Sequence, residues 1–214
     1  MPKNKVVLFD FDGVIMDTET IYTDFWNDQG KNLLDIDDFG ELVKGSTDRV
    51  IYRKYFSENP EFIPVLDQAI ADLEYGMPMN YIAGVKELIE ELRSKGMRIG
   101  MATSSDTKKM EMVFSKRPEL KGLLDKYITV DEVKHPKPNP EGYIKLIEYF
   151  GVRPQDALVF EDSTVGLTAA RDSGGIVVGV ASTNPREVIA PYCHHVIDDF
   201  SKLDHASILK LYDI

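Results

Sequence analysis

Short apolar runs alternate with stretches of helical periodicity along most of the chain. The runs have the length and the β-branched content of buried strands. Between them, apolar residues recur every three or four positions, as in helices that pack one face against a sheet. This alternation predicts an α/β fold built on a parallel sheet. The predicted strands are Lys5–Asp10, Arg98–Thr103, Tyr127–Val130, Ala157–Phe160, Ile176–Val180 and, more weakly, Val196–Ile197.

Three of the intervening stretches end at or just before a glycine, a frequent helix stop because glycine adopts left-handed backbone angles freely. These stretches would cover the faces of the sheet. The predicted helices are Gly84–Lys95, Pro140–Phe150 and Thr164–Ser173.

Residues 18–83 interrupt the alternation. They contain no convincing strand, their apolar residues fall at helical spacing, and Pro60, Pro64 and Pro78 separate the segments. We therefore predict a core domain of residues 1–17 and 84–214 with an inserted helical domain of residues 18–83. Because open α/β sheets bind ligands beyond the carboxyl ends of their strands, an insertion after the first strand is expected to act as a lid.

Composition excludes several classes of partner. A net charge of −11 over 214 residues argues against binding to nucleic acid or to anionic membranes. Cys193 is the single cysteine, which fits a reducing compartment, and no run of about 18 apolar residues is present. We expect a cytoplasmic monomer whose partner is a small molecule.

The first predicted strand ends with two carboxylates, Asp10 and Asp12, followed by Gly13. Buried strands rarely carry acids, because removing a carboxylate from water is costly unless a cation or hydrogen bonds compensate. Two acids at a strand end therefore indicate a metal site with a second carboxyl group available for proton transfer.

Other polar groups follow the later predicted strands, and the carboxyl ends of parallel strands meet at one edge of a sheet. Carboxylate oxygens suit Mg²⁺, while lysine and hydroxyl groups suit the oxygens of a transferring phosphoryl group. The predicted chemistry is magnesium-assisted phosphoryl transfer. The groups concerned are Thr103-Ser104-Ser105, Lys137 and Glu161-Asp162-Ser163.

Five motifs carry a family resemblance: Asp10-Phe11-Asp12-Gly13-Val14, Asp17-Thr18-Glu19, Ala102-Thr103-Ser104-Ser105, Lys137-Pro138 and Glu161-Asp162-Ser163-x-x-Gly166. In order and spacing they resemble the haloacid dehalogenase superfamily, in the branch of phosphatases and β-phosphoglucomutases with a helical cap. The resemblance implies a Rossmann-like parallel sheet core with an inserted small helical-bundle cap. The cap itself matches only in length, helicity and Lys44-Gly45.

The resemblance also implies roles for the matched residues. Asp10 would be the nucleophile that forms an aspartyl phosphate, and it would bind Mg²⁺. Asp12, without a charged partner of its own, would protonate the leaving oxygen and then activate water, and its backbone carbonyl would bind the metal. Thr103 and Ser104 would bind the phosphoryl group, and Lys137 would hold Asp10 and the phosphate. Asp162 would complete the metal shell with Glu161 beside it.

Several of these residues have plainer interpretations. Thr103 could cap the helix that begins near Asp106, although Asp106 is the better cap. Glu161 could support the metal ligands rather than bind the metal. Lys44 and Arg49 could contact the substrate or belong to a solvated helix face.

The acceptor of the phosphoryl group separates two activities. Water gives a phosphatase, whereas a sugar hydroxyl gives a mutase. β-Phosphoglucomutase uses a histidine in its first cap helix and an arginine in the cap loop, where this chain has Tyr22 and Asp48 followed by Arg49. We therefore predict a phosphomonoesterase, with β-phosphoglucomutase as the alternative. A phospho-aspartate signalling module is disfavoured, because its paired acids are adjacent and its phosphorylated aspartate follows a later strand.

Overall fold

The computed structural model of the protein describes residues 5–44 and 46–213. Within these residues six parallel strands form one sheet in the order β3-β2-β1-β4-β5-β6. Val6 lies opposite both Arg98 and Ala157, so β1 is central. The predicted α/β fold is confirmed. The strands are β1 (Val6–Phe9), β2 (Arg98–Ala102), β3 (Lys126–Ile128), β4 (Ala157–Glu161), β5 (Ile176–Val180) and β6 (His195–Ile197).

The third strand differs from its prediction. It ends at Ile128 rather than Val130, because Val130 already belongs to a 3-10 turn over Val130–Glu132. Thr129 and Glu132 cap this turn reciprocally, so the backbone donors leave the sheet ladder.

The three helices predicted between strands are present, and each end lies within one residue of its predicted bound. Further short helices have too few apolar repeats to stand out in the sequence. The helices that accompany the sheet are α5 (Val85–Ser94), α6 (Thr107–Lys116), α7 (Pro118–Leu123), α8 (Glu141–Phe150), α9 (Thr164–Asp172), α10 (Arg186–Ile189) and α11 (His205–Leu211).

The central strands are buried on both faces, as parallel strands covered by helices must be. Phe9 stacks on Phe160 with ring centroids 5.1 Å apart, and Phe200 packs against both rings. This dense packing fixes the ends of β1 and β4 relative to each other, and both ends carry acidic residues.

Residues Thr18–Pro78 form a separate compact helical unit. Trp26 is buried in its core, with Phe39 and Tyr52 edge-on to its ring. Gly45, part of the Lys44-Gly45 match, lies outside the described residues. The helices of this unit are α1 (Glu19–Leu34), α2 (Phe39–Val43), α3 (Asp48–Tyr55) and α4 (Ile63–Gly76).

The α/β unit resumes at Met79 rather than at Gly84. The Asp17 amide donates to the Asn80 carbonyl at 2.9 Å, and the Ile82 amide donates to the Ile15 carbonyl at 3.0 Å. These bonds tie residues 80–82 to the segment after β1. Among the described residues, no helix has the length and apolar character needed to cross a membrane.

Candidate active site

The polar residues predicted at strand ends converge at one edge of the sheet. Asp10 follows β1, Thr103 follows β2, Glu161 ends β4 and Asp162 follows it. Lys137 reaches them from the loop between the Val130–Glu132 turn and α8. Parallel pairing places these ends side by side, so topology alone brings distant residues together.

Asp10, Glu161 and Asp162 form a buried carboxylate cluster in which one oxygen of each lies within 4.8 Å of the others. The Lys137 ammonium enters this cluster. It donates to Asp10 Oδ1 at 2.8 Å and to Glu161 Oε1 at 2.5 Å. Bonds to the Ala102 carbonyl at 3.0 Å and the Tyr143 hydroxyl at 3.2 Å hold it in place. The cluster thus contains three acidic groups, two of which bond to one lysine.

Burial sets the electrostatics of this cluster. Loss of water and the nearby Glu161 charge raise the pKa of Asp10 to about 7, although Lys137 opposes the shift. Burial by itself would lower the pKa of Lys137, but the carboxylates of Asp10 and Glu161 outweigh it and raise that pKa. Lys137 is therefore a fixed cation, and the cluster favours a further positive charge.

The donor set fits a divalent cation that prefers hard oxygen ligands. Carboxylate oxygens gathered at one point suit Mg²⁺, which binds a few carboxylates and keeps other positions for water or substrate phosphate. Glu161 is already engaged on both oxygens: Oε1 accepts from Tyr143 at 2.7 Å and Oε2 accepts from the Asp162 amide at 3.2 Å. Asp10 and Asp162 are therefore better placed than Glu161 to bind the cation directly.

The structure shows why the Glu161-Asp162-Ser163-x-x-Gly166 motif has a glycine at position 166. A Cβ atom there would lie 2.1 Å from the carboxylate of Glu161, so a side chain would displace that group. The glycine lets α9 approach the buried carboxylate closely.

Asp12 has different neighbours. Its carboxylate accepts from Ser105 Oγ at 2.7 Å, and Lys109 Nζ donates to both of its oxygens, at 2.9 and 3.0 Å. The expectation that Asp12 has no charged partner is therefore wrong. Lys109 went unrecognised because a lysine in an apparently ordinary helix gives no sequence signal.

The structure of the segment after β2 shows which of its residues caps α6. Asp106 caps α6 by accepting from the Lys109 amide at 2.7 Å, so the cap is Asp106 and not Thr103. Thr103 is buried, and its Oγ1 accepts from the Ser105 amide at 3.0 Å. Ser104 is exposed at the strand end. Binding of a phosphoryl group by Thr103 and Ser104 stays a prediction.

A loop that sequence reasoning missed also reaches the site. Thr183 Oγ1 donates to Asp162 Oδ2, and the Asn184 side-chain amide donates to the Asp162 carbonyl at 3.1 Å. Ser182 Oγ donates to the carbonyl of Gly13, whose φ of +74° and close contact with Asp162 leave no room for a Cβ. The available signal was position, because residues 182–184 follow the end of β5.

Lys44 and Arg49 belong to the helical unit. Lys44 follows α2 and pairs with Glu41 at 3.3 Å, and Arg49 is exposed on α3. Their contact with a substrate stays a prediction.

Comparison with known proteins gives this geometry its context. Residues 7–180 match the sequence model of the haloacid dehalogenase-like hydrolases. The chain belongs to this family. The match runs from β1 to the end of β5, so it includes every strand end that carries a residue of the buried carboxylate cluster. The protein is therefore an enzyme of the hydrolase type that defines the family.

Two curated relatives are phosphatases. The chain is 29% identical over 191 residues to a phosphorylated carbohydrates phosphatase of Thermotoga maritima, covering 79% of this chain and 82% of that protein. It is 35% identical over 109 residues to validoxylamine A 7'-phosphate phosphatase of Streptomyces hygroscopicus subsp. limoneus. The latter match covers 51% of each protein.

Solved structures show the same haloacid dehalogenase fold. A hydrolase of family IA, variant 3, from Entamoeba histolytica superposes with a TM-score of 0.84 at 22% identity. That superposition covers 98% of this chain and 100% of the other.

Proposed function

We propose that this protein is a magnesium-dependent phosphomonoesterase that hydrolyses a small phosphorylated metabolite, in particular a sugar phosphate, through an aspartyl-phosphate intermediate. The observation that carries the proposal is the contact of Lys137 with Asp10 inside the buried carboxylate cluster, at the ligand-binding edge of the sheet. The phosphatase relatives support the same class of substrate. A cytoplasmic, monomeric enzyme is part of the proposal.

Asp10 carries out the first step. Its carboxylate oxygen attacks phosphorus, the bond from phosphorus to the ester oxygen breaks, and that oxygen takes a proton from the Asp12 carboxyl group. Lys137 stays protonated, balances charge on the phosphoryl oxygens and holds Asp10 in line. Thr103 and Ser104 bind the same oxygens. The products of this step are the alcohol and phosphorylated Asp10.

Asp12 acts again in the second step. Its carboxylate accepts a proton from water as the water oxygen bonds to phosphorus. The bond from phosphorus to Asp10 then breaks and inorganic phosphate leaves. The enzyme returns to its starting state with Asp12 protonated, so the same carboxyl group serves as acid and base.

Asp10, Asp162 and the backbone carbonyl of Asp12 would hold Mg²⁺, with Glu161 beside them as a supporting group. When bound, the cation offsets the charge of the carboxylates and of the phosphate, so that an anionic nucleophile can approach an anionic ester.

One observation favours water over a sugar hydroxyl as the acceptor of the phosphoryl group. Tyr22 stands where β-phosphoglucomutase has its cap histidine, and its hydroxyl donates to Glu74 at 2.5 Å within the helical unit. A tyrosine hydroxyl bound to an acid cannot replace the imidazole of that histidine.

The test is a panel of phosphorylated metabolites assayed for phosphate release with Mg²⁺ and with EDTA, using Asp10→Asn as the blank. β-Glucose 1-phosphate with a trace of glucose 1,6-bisphosphate is included, and glucose 6-phosphate and free phosphate are followed together. We expect phosphate release without isomerisation. Efficient isomerisation with little phosphate release would replace the proposal with a mutase.

A further inference from the structure

Lys109 is a buried cation that the proposed chemistry does not use. It is the third residue of α6, its side chain is 9% exposed, and its ammonium lies 2.9 and 3.0 Å from the two carboxylate oxygens of Asp12. The ammonium also lies 5.8 Å from the centre of the Phe11 ring. Lys109 thus contacts Asp12 and lies near the ring of Phe11, the residue between Asp10 and Asp12.

Local physical chemistry disfavours a lysine at this position. The first turn of a helix carries partial positive charge, which repels a cation, and burial of an ammonium group costs solvation. Lys108, in the same turn, avoids the second cost because it is exposed. Such a conflict between a residue and its local environment is characteristic of functional positions.

We propose that Lys109, together with Ser105, is the positioning residue of Asp12, an inference that rests on the proposed phosphatase function. Ser105 on the loop after β2 and Lys109 on α6 bind the same carboxylate from two elements. These bonds oppose rotation of the carboxylate plane. The oxygen that passes its proton to the leaving group therefore stays directed at the substrate.

The consequence depends on the leaving group. The proton moves from Asp12 to the ester oxygen as the bond to phosphorus breaks, and Lys109 keeps its own protons throughout. Proton donation matters most when the leaving oxygen is strongly basic, and a misdirected acid loses most of its contribution. Loss of Lys109 should therefore slow the hydrolysis of esters with poor leaving groups more than the hydrolysis of activated esters.

The experiment compares two aryl esters of similar shape, 4-nitrophenyl phosphate and 4-methoxyphenyl phosphate, at saturating Mg²⁺. For Lys109→Met we expect kcat on the methoxy ester to fall by about 10- to 100-fold, the range for a misplaced catalytic group, and on the nitro ester by only a few-fold. Lys109→Arg, which keeps a cation, should recover most of the difference. Lys108→Met is the matched control and should leave both rates unchanged.

Equal losses on both esters, or no loss on either, would overturn the inference. If Lys109→Met does not fold, Ser105→Ala removes the other contact to Asp12. This variant should show the same preference for the nitro ester to a smaller degree. Absence of that preference would count equally against the inference. The proposed function fails separately, if wild type and Lys108→Met release no phosphate or if Asp10→Asn retains activity. In that case this inference falls with it.

Discussion

Two carboxylates at the end of one strand have opposite surroundings, although a single residue separates them. Asp10 belongs to the buried carboxylate cluster, where Lys137 bonds to Asp10 and Glu161 and Asp162 adds a third acid. The Asp12 carboxylate instead contacts one lysine and one hydroxyl group. The first neighbourhood has an excess of negative charge and attracts a cation. The second is balanced and holds an acid in a defined orientation.

This difference explains how one strand end can supply both a nucleophile and a proton carrier. A nucleophile needs to stay ionised beside an anionic substrate, which requires more positive charge than Lys137 alone provides. A proton carrier needs to change state twice in each cycle, so it must lie outside the cluster of ligands. In an extended strand residues i and i+2 point to the same face, so Asp10 and Asp12 are separated because the backbone leaves the extended conformation after Phe9.

The largest effect should come from the Asp10 side. Asp10→Asn keeps the shape of the side chain but removes the nucleophile and one acidic group of the cluster. Phosphate release should fall by at least about a thousandfold. Steady-state assay against the panel substrate measures the loss. Hydrolysis that survives after contaminating enzyme and deamidation are excluded would remove Asp10 from the mechanism.

Asp12→Asn should separate the two halves of the reaction. An activated aryl phosphate needs little help from an acid and should still phosphorylate Asp10, whereas an alkyl phosphate should react poorly. Without a base to activate water, the aspartyl phosphate should persist and be visible by mass spectrometry of the intact protein. Equal losses for both ester types with no trapped phosphoenzyme would show that the two carboxylates do not divide the work.

Much of this comparison could be predicted from sequence, and the reasons are physical. Asp10, Asp12 and Asp162 stand next to apolar strand patterns, so topology brings these strand ends together whatever the details of packing. Lys137 lies in a loop, and its place in the order of the family motifs is what predicts its role. Lys109 and Thr183 could not be found in the same way. A helix residue reveals its direction only when the helix is placed, and the loop after β5 carries hydroxyl groups that are common in any turn.

In the helical unit the sequence predicts the helices but not the roles of the charged residues. Periodicity predicts its helical character, and its apolar residues form a core in which Trp26 is buried. Its charged residues, however, lie on exposed helix faces where many sequences are equally stable, so the pattern cannot say whether Arg49 meets a substrate.

A moderate effect should follow from the loop after β5. Thr183→Ala removes the hydroxyl that donates to Asp162 Oδ2 and so frees a proposed metal ligand to reorient. Loss of such a supporting contact typically weakens metal affinity by about 10- to 100-fold. The Mg²⁺ concentration for half-maximal activity should rise accordingly, with kcat at saturating Mg²⁺ little changed. Thr168→Ala, whose hydroxyl bonds only to its own helix among the contacts described for it, is the control. An unchanged Mg²⁺ requirement would contradict the proposal that Asp162 binds the metal.

The smallest effect concerns the loop that carries Lys137 into the buried carboxylate cluster. Glu141 pairs with Lys145 at 2.8 Å and accepts from the Lys134 and His135 amides, both at 3.0 Å. The hydrogen bond from Lys145, with the backbone bonds, lowers the pKa of Glu141 to about 2. Because the pKa in the folded state is lowered, this stabilisation is fully present above the ordinary value near 4.5 and is lost as pH falls toward 2.

Glu141→Gln should therefore be slightly less stable than wild type at pH 7, and the difference should shrink as pH falls below 5. Urea unfolding at pH 7, 5 and 3.5 measures it, with the exposed Glu148→Gln of the same helix as the control. A difference that stayed constant down to pH 3.5 would mean that the Glu141 side chain acts through its shape rather than its charge. Since Lys137 follows this anchored segment directly, a charge-dependent anchor would tie the position of the lysine beside Asp10 to an ion pair outside the cluster.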